Sequence, residues 1–246
     1  RAAEQRLVQT LEKYGRWLNM EDYTNVTGAL IFNLQTRGHG QATVKWVSSF
    51  LDRIRLEGVA NDPMQDHFKF WNYSIGKTVL LMQGHAVEAL DMKGQLENLK
   101  ITAPFDVALY HVNEILSYLE QDEVDGDIKK VIRKFEAQGI SIFTTPTFIR
   151  RFWIFVGYYH LARCMKGHDE LPLLRRSLGW AWVAGLVPTL RVHALILKGS
   201  YLRLKGKYKR ALRYYAHAEI LAHDKDSPIA LYEIHRQRAH LLKSQG

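Results

Sequence analysis

Six glycines, Gly38, Gly84, Gly126, Gly167, Gly206 and Gly246, follow one another along this chain at spacings of 46, 42, 41, 39 and 40 residues. Each closes an apolar stretch of helical periodicity, and after the first five another such stretch opens within a few residues. Glycine suits this place because a helix stops at least cost on a residue of positive φ, where a Cβ is a burden. Punctuation repeated on this scale predicts a repeat array rather than one globular core. A lone pair of such helices cannot bury both of its apolar stripes, so each pair must stack on the next and share a core with it. The expected fold is all-α, an α-solenoid of antiparallel helix pairs with a period of about 40 residues.

The pattern predicts helices near 3–18, 25–37, 41–57, 65–83, 86–99, 104–121, 127–138, 147–166, 170–185, 189–205, 208–223 and 229–244. Pro104, Pro146, Pro188 and Pro228 fall at or near helix starts, where a missing amide costs least, and so support the frame independently of the glycines. The clearest unit runs from Val192 to His223. Leu195, Leu202 and Leu204 stripe its first helix, the turn reads Gly206-Lys207-Tyr208-Lys209-Arg210-Ala211, and Leu212, Tyr215, Ala218 and Leu221 lie on its second helix. A second unit runs from Phe70 to Leu99 around Gly84-His85-Ala86-Val87-Glu88-Ala89. A shift of 122 residues lays Leu80 on Leu202, Gly84 on Gly206, Ala89 on Ala211 and Leu90 on Leu212.

A glycine, a small or aromatic residue two positions on and an alanine five positions on resembles the inter-helix turn of the tetratricopeptide repeat. Gly206, Tyr208 and Ala211 carry the pattern fully, and Gly84, Ala86 and Ala89 carry it loosely. Gly38, Gly126 and Gly167 keep the glycine without the alanine. The period is longer than the usual 34 residues of that family, which leaves HEAT or armadillo-like pairs as the alternative. Long, degenerate repeats of this kind are similar to those that follow the regulatory ATPase module of STAND-type signalling proteins and those of soluble class III nucleotide cyclases. That resemblance implies a sensor or autoinhibitory arm, with catalysis elsewhere in the parent chain.

The chain of 246 residues is 47% hydrophobic and 24% charged, enough to bury a continuous core, and no Pro/Gly/Ser-rich linker divides it. Residues 1–246 are expected to form a single helical-repeat domain. Ile229 to Gln245 reads as the first helix of a further pair that ends on Gly246, and Arg1-Ala2-Ala3-Glu4 is helical in character, so a fragment of a longer chain is expected. Cys164 stands alone, so no internal disulfide can form and a cytoplasmic location is favoured. The glycosylation-type triplets Asn25-Val26-Thr27 and Asn72-Tyr73-Ser74 weigh little against it, because such triplets are frequent by chance. The longest charge-free stretch, Ser177 to Leu190, has 14 residues and includes Pro188. A membrane span needs about 20.

Charge is unevenly placed. Residues 1–146 carry 16 Lys/Arg against 19 Asp/Glu, and residues 147–246 carry 18 against 6. Such a gradient suits an acidic partner for the C-terminal half, whether another protein, another domain of the same chain or a nucleic acid.

The motifs of chemistry are missing. The sequence has no His-Glu-x-x-His, no Cys-x-x-Cys, no calcium loop and no phosphate-binding glycine loop, so neither metal nor cofactor is expected. His217 with His223, and His235 with His240, are poorly spaced to share one metal on a helix face. Arg163 and Lys166 flank Cys164 and could lower its thiol pKa, although a cysteine among aromatics ordinarily serves packing. The acidic run from Glu120 to Asp127 reads as a solvated turn between helices. Two basic clusters are the candidate partner-binding residues: Lys205, Lys207, Lys209, Arg210 and Arg213 around one turn, and Arg150, Arg151 and Trp153 at the head of a helix that also holds Phe152, Phe155, Tyr158 and Tyr159. Cations interleaved with aromatics can hold single-stranded nucleic acid; equally, the rings can fill a core while the charges solubilise its rim. Trp180 and Trp182 are expected to pack. The function expected is that of a protein-interaction or regulatory scaffold without enzymatic activity in this segment. The alternatives are nucleic-acid binding through the basic half and peptide or small-molecule sensing in the solenoid groove.

Overall fold

In the computed structural model of the protein, the described residues are 2–56, 69, 70, 74, 76, 77, 80, 104–122 and 124–243. Among them every regular element is helical, as the all-α expectation requires. The elements are α1 (Ala2–Tyr14), a 3-10 turn (Gly15–Trp17), α2 (Met20–Arg37), α3 (Gly40–Leu56), α4 (Pro104–Glu120), α5 (Ile128–Glu136), α6 (Thr147–Met165), α7 (Leu171–Ala184), α8 (Pro188–Leu204), α9 (Tyr208–Lys225) and α10 (Pro228–Lys243). The helix expected at 86–99, the turn from Gly84 to Ala89 and Gly246 lie outside the described residues, as does most of the helix expected at 65–83. Pro104, Pro188 and Pro228 open α4, α8 and α10, and Pro146 directly precedes α6.

Helix α2 starts five residues before the expected 25. The reason is Asn19, whose side-chain oxygen accepts the Asp22 amide at 2.8 Å and so supplies the first turn with a partner. Glu21 and Asp22 add negative charge at the positive end of the helix.

The chain divides into two compact units, residues 1–113 and 114–246. In the first, Leu11, Tyr23, Leu30, Ile31, Leu34, Trp46, Val47 and Phe50 form the core of α1, α2 and α3, with the rings of Tyr23 and Phe50 stacked 6.1 Å apart. Arg53 lies over the Tyr23 ring at 4.3 Å and donates to the carbonyls of Gly15 and Leu18, tying the 3-10 turn to α3. Arg37 pairs with Glu4, which joins the end of α2 to α1.

In the second unit α8 is central and touches α6, α7, α9 and α10. Three glycines set how close its neighbours come. A Cβ on Gly157 of α6 would stand 2.7 Å from the Leu197 side chain, one on Gly185 would stand 3.1 Å from the Cβ of Ala194, and one on Gly199 would stand 2.6 Å from the Tyr215 ring. Tyr215 is fully buried, and its hydroxyl lies 3.2 Å from the Ser200 hydroxyl, so burial leaves no polar atom unsatisfied there. Ser200 stands before the three-residue turn and Tyr215 after it, so α8 and α9 fold back on each other. Ala211, Tyr215, Ala218 and Ala222, spaced four, three and four apart, bury one face of α9. Leu212, expected on that face, is 43% exposed because Ala211 takes the inward position beside it.

The turn glycines share one geometry at three of the expected positions. Gly38, Gly167 and Gly206 have φ of 84°, 88° and 69°. In each case the amide of the next residue reaches back five residues, His39 to Leu34, His168 to Arg163 and Lys207 to Leu202. Asp226 (φ 52°) ends α9 the same way, with Ser227 reaching back to Ala222. Gly126 does not fill this role. Helix α4 ends at Glu120, and the left-handed residue is Asp122 (φ 56°), whose short polar side chain tolerates that conformation.

These observations make the glycines separable by experiment. Gly199→Ala is expected to destabilise the protein by roughly 1–3 kcal/mol through overpacking against Tyr215. Gly179→Ala, on an open helical face with nothing within 4 Å, is expected to stabilise it by up to about 1 kcal/mol. Urea unfolding of the two variants beside the parent chain measures both.

Candidate functional site

Helices α6, α8 and α10 lie beside one another, and the end of α4 joins them to enclose a groove of about 400 Å³. The groove lies wholly within residues 114–246. Its floor is apolar: Leu116 and Leu119 come from α4, Phe155, Leu161 and Met165 from α6, and Ile229 from α10. The helical repeat explains the alignment, since Phe155, Tyr158, Ala162 and Met165 share one face of α6 at spacings of three and four, as do Ile229, Glu233, Arg236 and His240 on α10.

Polar groups are set into this floor at fixed points. The Tyr158 hydroxyl and His193 Nδ1 lie 3.0 Å apart across the α6–α8 junction. Burial pushes the His193 pKa down to about 4, so its imidazole is neutral at physiological pH, and burial raises the Tyr158 phenol well above its usual range. His240 is also pushed down, by burial first and then by the charges of Arg203 and Arg236. Arg236 holds Glu233 through two hydrogen bonds, 2.7 and 3.0 Å, and Gln237 adds a third at 2.9 Å. Lys166 pairs with Asp122 at 3.2 Å. Glu120, on the lip, differs from both. Its residue is open to solvent, yet protein atoms crowd water from the carboxyl and raise its pKa, with the nearby Glu233 charge a second cause and Arg236 opposing. No hydrogen bond or ion pair to Glu120 is present among the described residues. The groove therefore combines an apolar bed, two neutral imidazoles and one carboxylate without a partner.

The acidic turn beside the groove is open to solvent, as expected, and ion pairs tie Asp122 and Asp125 to the end of α6. Arg163 pairs with Asp125 and donates to Glu170 at 3.0 Å, and His160 Nδ1 lies 2.7 Å from the other Glu170 oxygen. Burial works to raise the Glu170 pKa, but the hydrogen bonds from His160 and Arg163 outweigh it and hold the carboxyl below its usual range. Because Arg163 is spent on these carboxylates, it does not activate Cys164. Burial raises that thiol's pKa, in keeping with the packing role expected of a cysteine among aromatics. Among the described residues no cluster of His, Cys, Asp or Glu has the arrangement of a metal site.

Two different environments receive the basic residues singled out in the sequence. Lys205, Lys207, Lys209, Arg210 and Arg213 are exposed together around the α8–α9 turn. Arg150 is turned back, donating to the carbonyls of Thr145 at 2.8 Å and Phe143 at 3.2 Å. Arg151 is interior, 3% exposed, donating to the Phe148 carbonyl at 3.1 Å, and burial lowers its pKa to about 9. Trp153 meets Phe135 and Phe152 edge-on, while those two rings stack 3.6 Å apart. The head of α6 is thus a packing centre, separate in character from the exposed turn. Trp180 and Trp182, expected to pack, keep 44% and 41% of their surface exposed. The groove residues Glu120, His193, Glu233 and Arg236 were not among those candidates; the glycine frame gives their helices but not which faces converge.

Compared with protein-family models, curated proteins and solved structures, the chain matches none. No described helix is long and apolar enough to cross a membrane.

His193 makes a pH prediction. Its folded pKa lies below the unfolded value of about 6.5, so its contribution to stability is complete above that value and is lost as pH falls towards 4. The loss is expected to reach about 2–3 kcal/mol by the lower end of that window. His193→Gln, which keeps a polar partner for Tyr158 but cannot titrate, should flatten stability measured by urea unfolding between those two pH values.

Proposed function

We propose that the chain is a helical-repeat interaction module, an α-solenoid arm that binds an extended segment of another protein, or of another domain of its own parent chain, in the groove of α4, α6, α8 and α10. Three features support the repeat reading: the turns at Gly38, Gly167 and Gly206 share one hydrogen-bond pattern, α6, α8 and α10 begin 41 and 40 residues apart, and α8 rests on both α6 and α10. Stacked helix pairs of this sort present an extended concave surface to partners. The tetratricopeptide-like turn at Gly206, Tyr208 and Ala211 fits the same reading, and resemblance to the repeat arms of STAND-type ATPases and class III cyclases suggests a regulatory role in the cytoplasm.

The observation that carries the binding mode is the pairing of an apolar floor with the lone carboxylate of Glu120. A segment presenting a Lys or Arg beside two or three apolar side chains would neutralise Glu120 and cover Phe155, Met165 and Ile229. The proposed role is recognition, and it requires no chemistry from Tyr158 or His193 beyond fixed, uncharged polar contacts.

A random peptide library displayed on phage and selected against the 246-residue protein tests the proposal. Enriched peptides should carry a basic residue flanked by apolar ones. Isothermal titration should show at least about tenfold weaker binding to Glu120→Lys and to Ala162→Trp, which fills the floor. Peptides that bind Ala162→Trp as well as the parent would overturn this reading.

A further inference from the structure

A second groove, of about 450 Å³, lies on another side of the same unit, between α7 and α9 with α8 beneath. Its composition is unlike that of the first. Arg175 and Trp182 come from α7, Lys198 and Tyr201 from α8 and Tyr214 from α9, and no carboxylate lines it. Helical spacing lines these residues up: Arg175 and Trp182 are seven apart, Lys198 and Tyr201 three apart. The absence of acid extends to the local sequence. Between Glu170 and Glu219 there are ten Lys/Arg and no Asp or Glu, and this stretch includes all of α7 and α8 and the first half of α9. Residues 114–246 carry 22 Lys/Arg against 13 Asp/Glu, and so the whole net charge of +9, while residues 1–113 carry 12 of each.

Cations in and beside the groove lie against its rings. The ammonium groups of Lys198 and Lys205 lie 5.7 and 5.9 Å from the centre of the Tyr201 ring, and the Arg191 guanidinium stacks on Trp182 at 3.5 Å. Lys205 joins the groove to the exposed basic turn, and Arg210 lies one helical turn before Tyr214 on α9. The stripe from Ala194 to Lys205 rises about 16 Å, room for about five bases stacked at ~3.4 Å.

We infer that this groove binds single-stranded nucleic acid, with phosphates held by Arg175, Lys198, Lys205 and Arg210 and bases stacked on the part of Trp182 that Arg191 leaves exposed and beside the partly buried ring of Tyr214. Polyanion binding follows from the cations. The rings favour bases over a plain run of acidic side chains, because every base has a face to lay on an indole with 41% of its surface exposed, whereas carboxylates gain little from it. A duplex hides those faces.

Fluorescence anisotropy of the full chain with labelled oligothymidylate and oligouridylate of about 12 nucleotides tests the inference. Affinity should fall between about 50 and 200 mM salt with a log–log slope near −3, from four phosphate contacts at about 0.7 each. Arg175→Glu with Lys198→Glu should weaken binding at least about tenfold, and Arg175→Gln with Lys198→Gln, which add no negative charge, about threefold or more. Arg133→Glu with Lys134→Glu, the same change of charge on the exposed side of α5, should cost less than about threefold. Trp182→Ala should weaken binding roughly fivefold and Trp182→Phe much less, while Ala162→Trp in the other groove leaves it unchanged. Far-ultraviolet circular dichroism confirms that each variant keeps its helices. The inference fails if neither oligonucleotide binds at low salt, if the α5 reversal weakens binding as much as the groove reversal, or if duplex or polyglutamate binds as tightly as the single strands.

Discussion

The second unit depends on how closely other side chains can approach α8. Gly157, Gly185 and Gly199 each leave out a Cβ where a neighbour would collide with it, and those neighbours, Leu197, Ala194 and Tyr215, are all buried. Dispersion attraction falls steeply with separation, so the contacts that fill this interior exist only because the backbones come this near. With α8 seated, α6 and α10 are held on either side of it, and their outward stripes line the first groove. With α7 and α9 also held on α8, the second groove opens between them. Both candidate sites are therefore consequences of one packed helix.

The two grooves solve the problem of buried polarity in opposite ways. In the first, charges are paired nearly to exhaustion, Lys166 with Asp122 and Arg236 with Glu233, and burial keeps the imidazoles uncharged. What remains is a single carboxylate on an apolar bed, an arrangement suited to a segment of mixed character. In the second, the cations have no acidic counterparts in the lining and lie against rings, which favours a long anion with flat faces. Beside the first groove, Arg163 and His168 pair with Asp125, and Lys166 pairs with Asp122.

Much of the secondary structure was legible because it rests on local physics. Glycine at positive φ, proline at a first turn and apolar spacing of three and four act within a few residues, and the helices from α4 onward lie within about two residues of their expected limits. The departures are local too. Asn19 caps α2 early through a side chain that periodicity does not register, and Asp122 and Asp226 take the left-handed positions that the glycine pattern would have sought elsewhere. Leu212 and Ala211 show where the pattern loses resolution: neighbours on a helix differ by about 100° in direction, and only the position of α8 decides which of them faces inward.

By itself, the sequence determined the helical class seen throughout the described residues, the glycine turns at Gly38, Gly167 and Gly206, and the excess of positive charge towards the C-terminus. Those properties are sums over local propensity and composition. Tertiary structure decided everything that depends on residues distant along the chain. It buried Arg151 while exposing Lys205 to Arg213, diverted Arg163 from Cys164 to Glu170 and Asp125, left Trp182 open beside Arg191, and brought Glu120 near Glu233 across more than a hundred residues. Burial and electrostatic neighbourhood depend on distance in space, which the order of residues constrains only within a turn or two of helix.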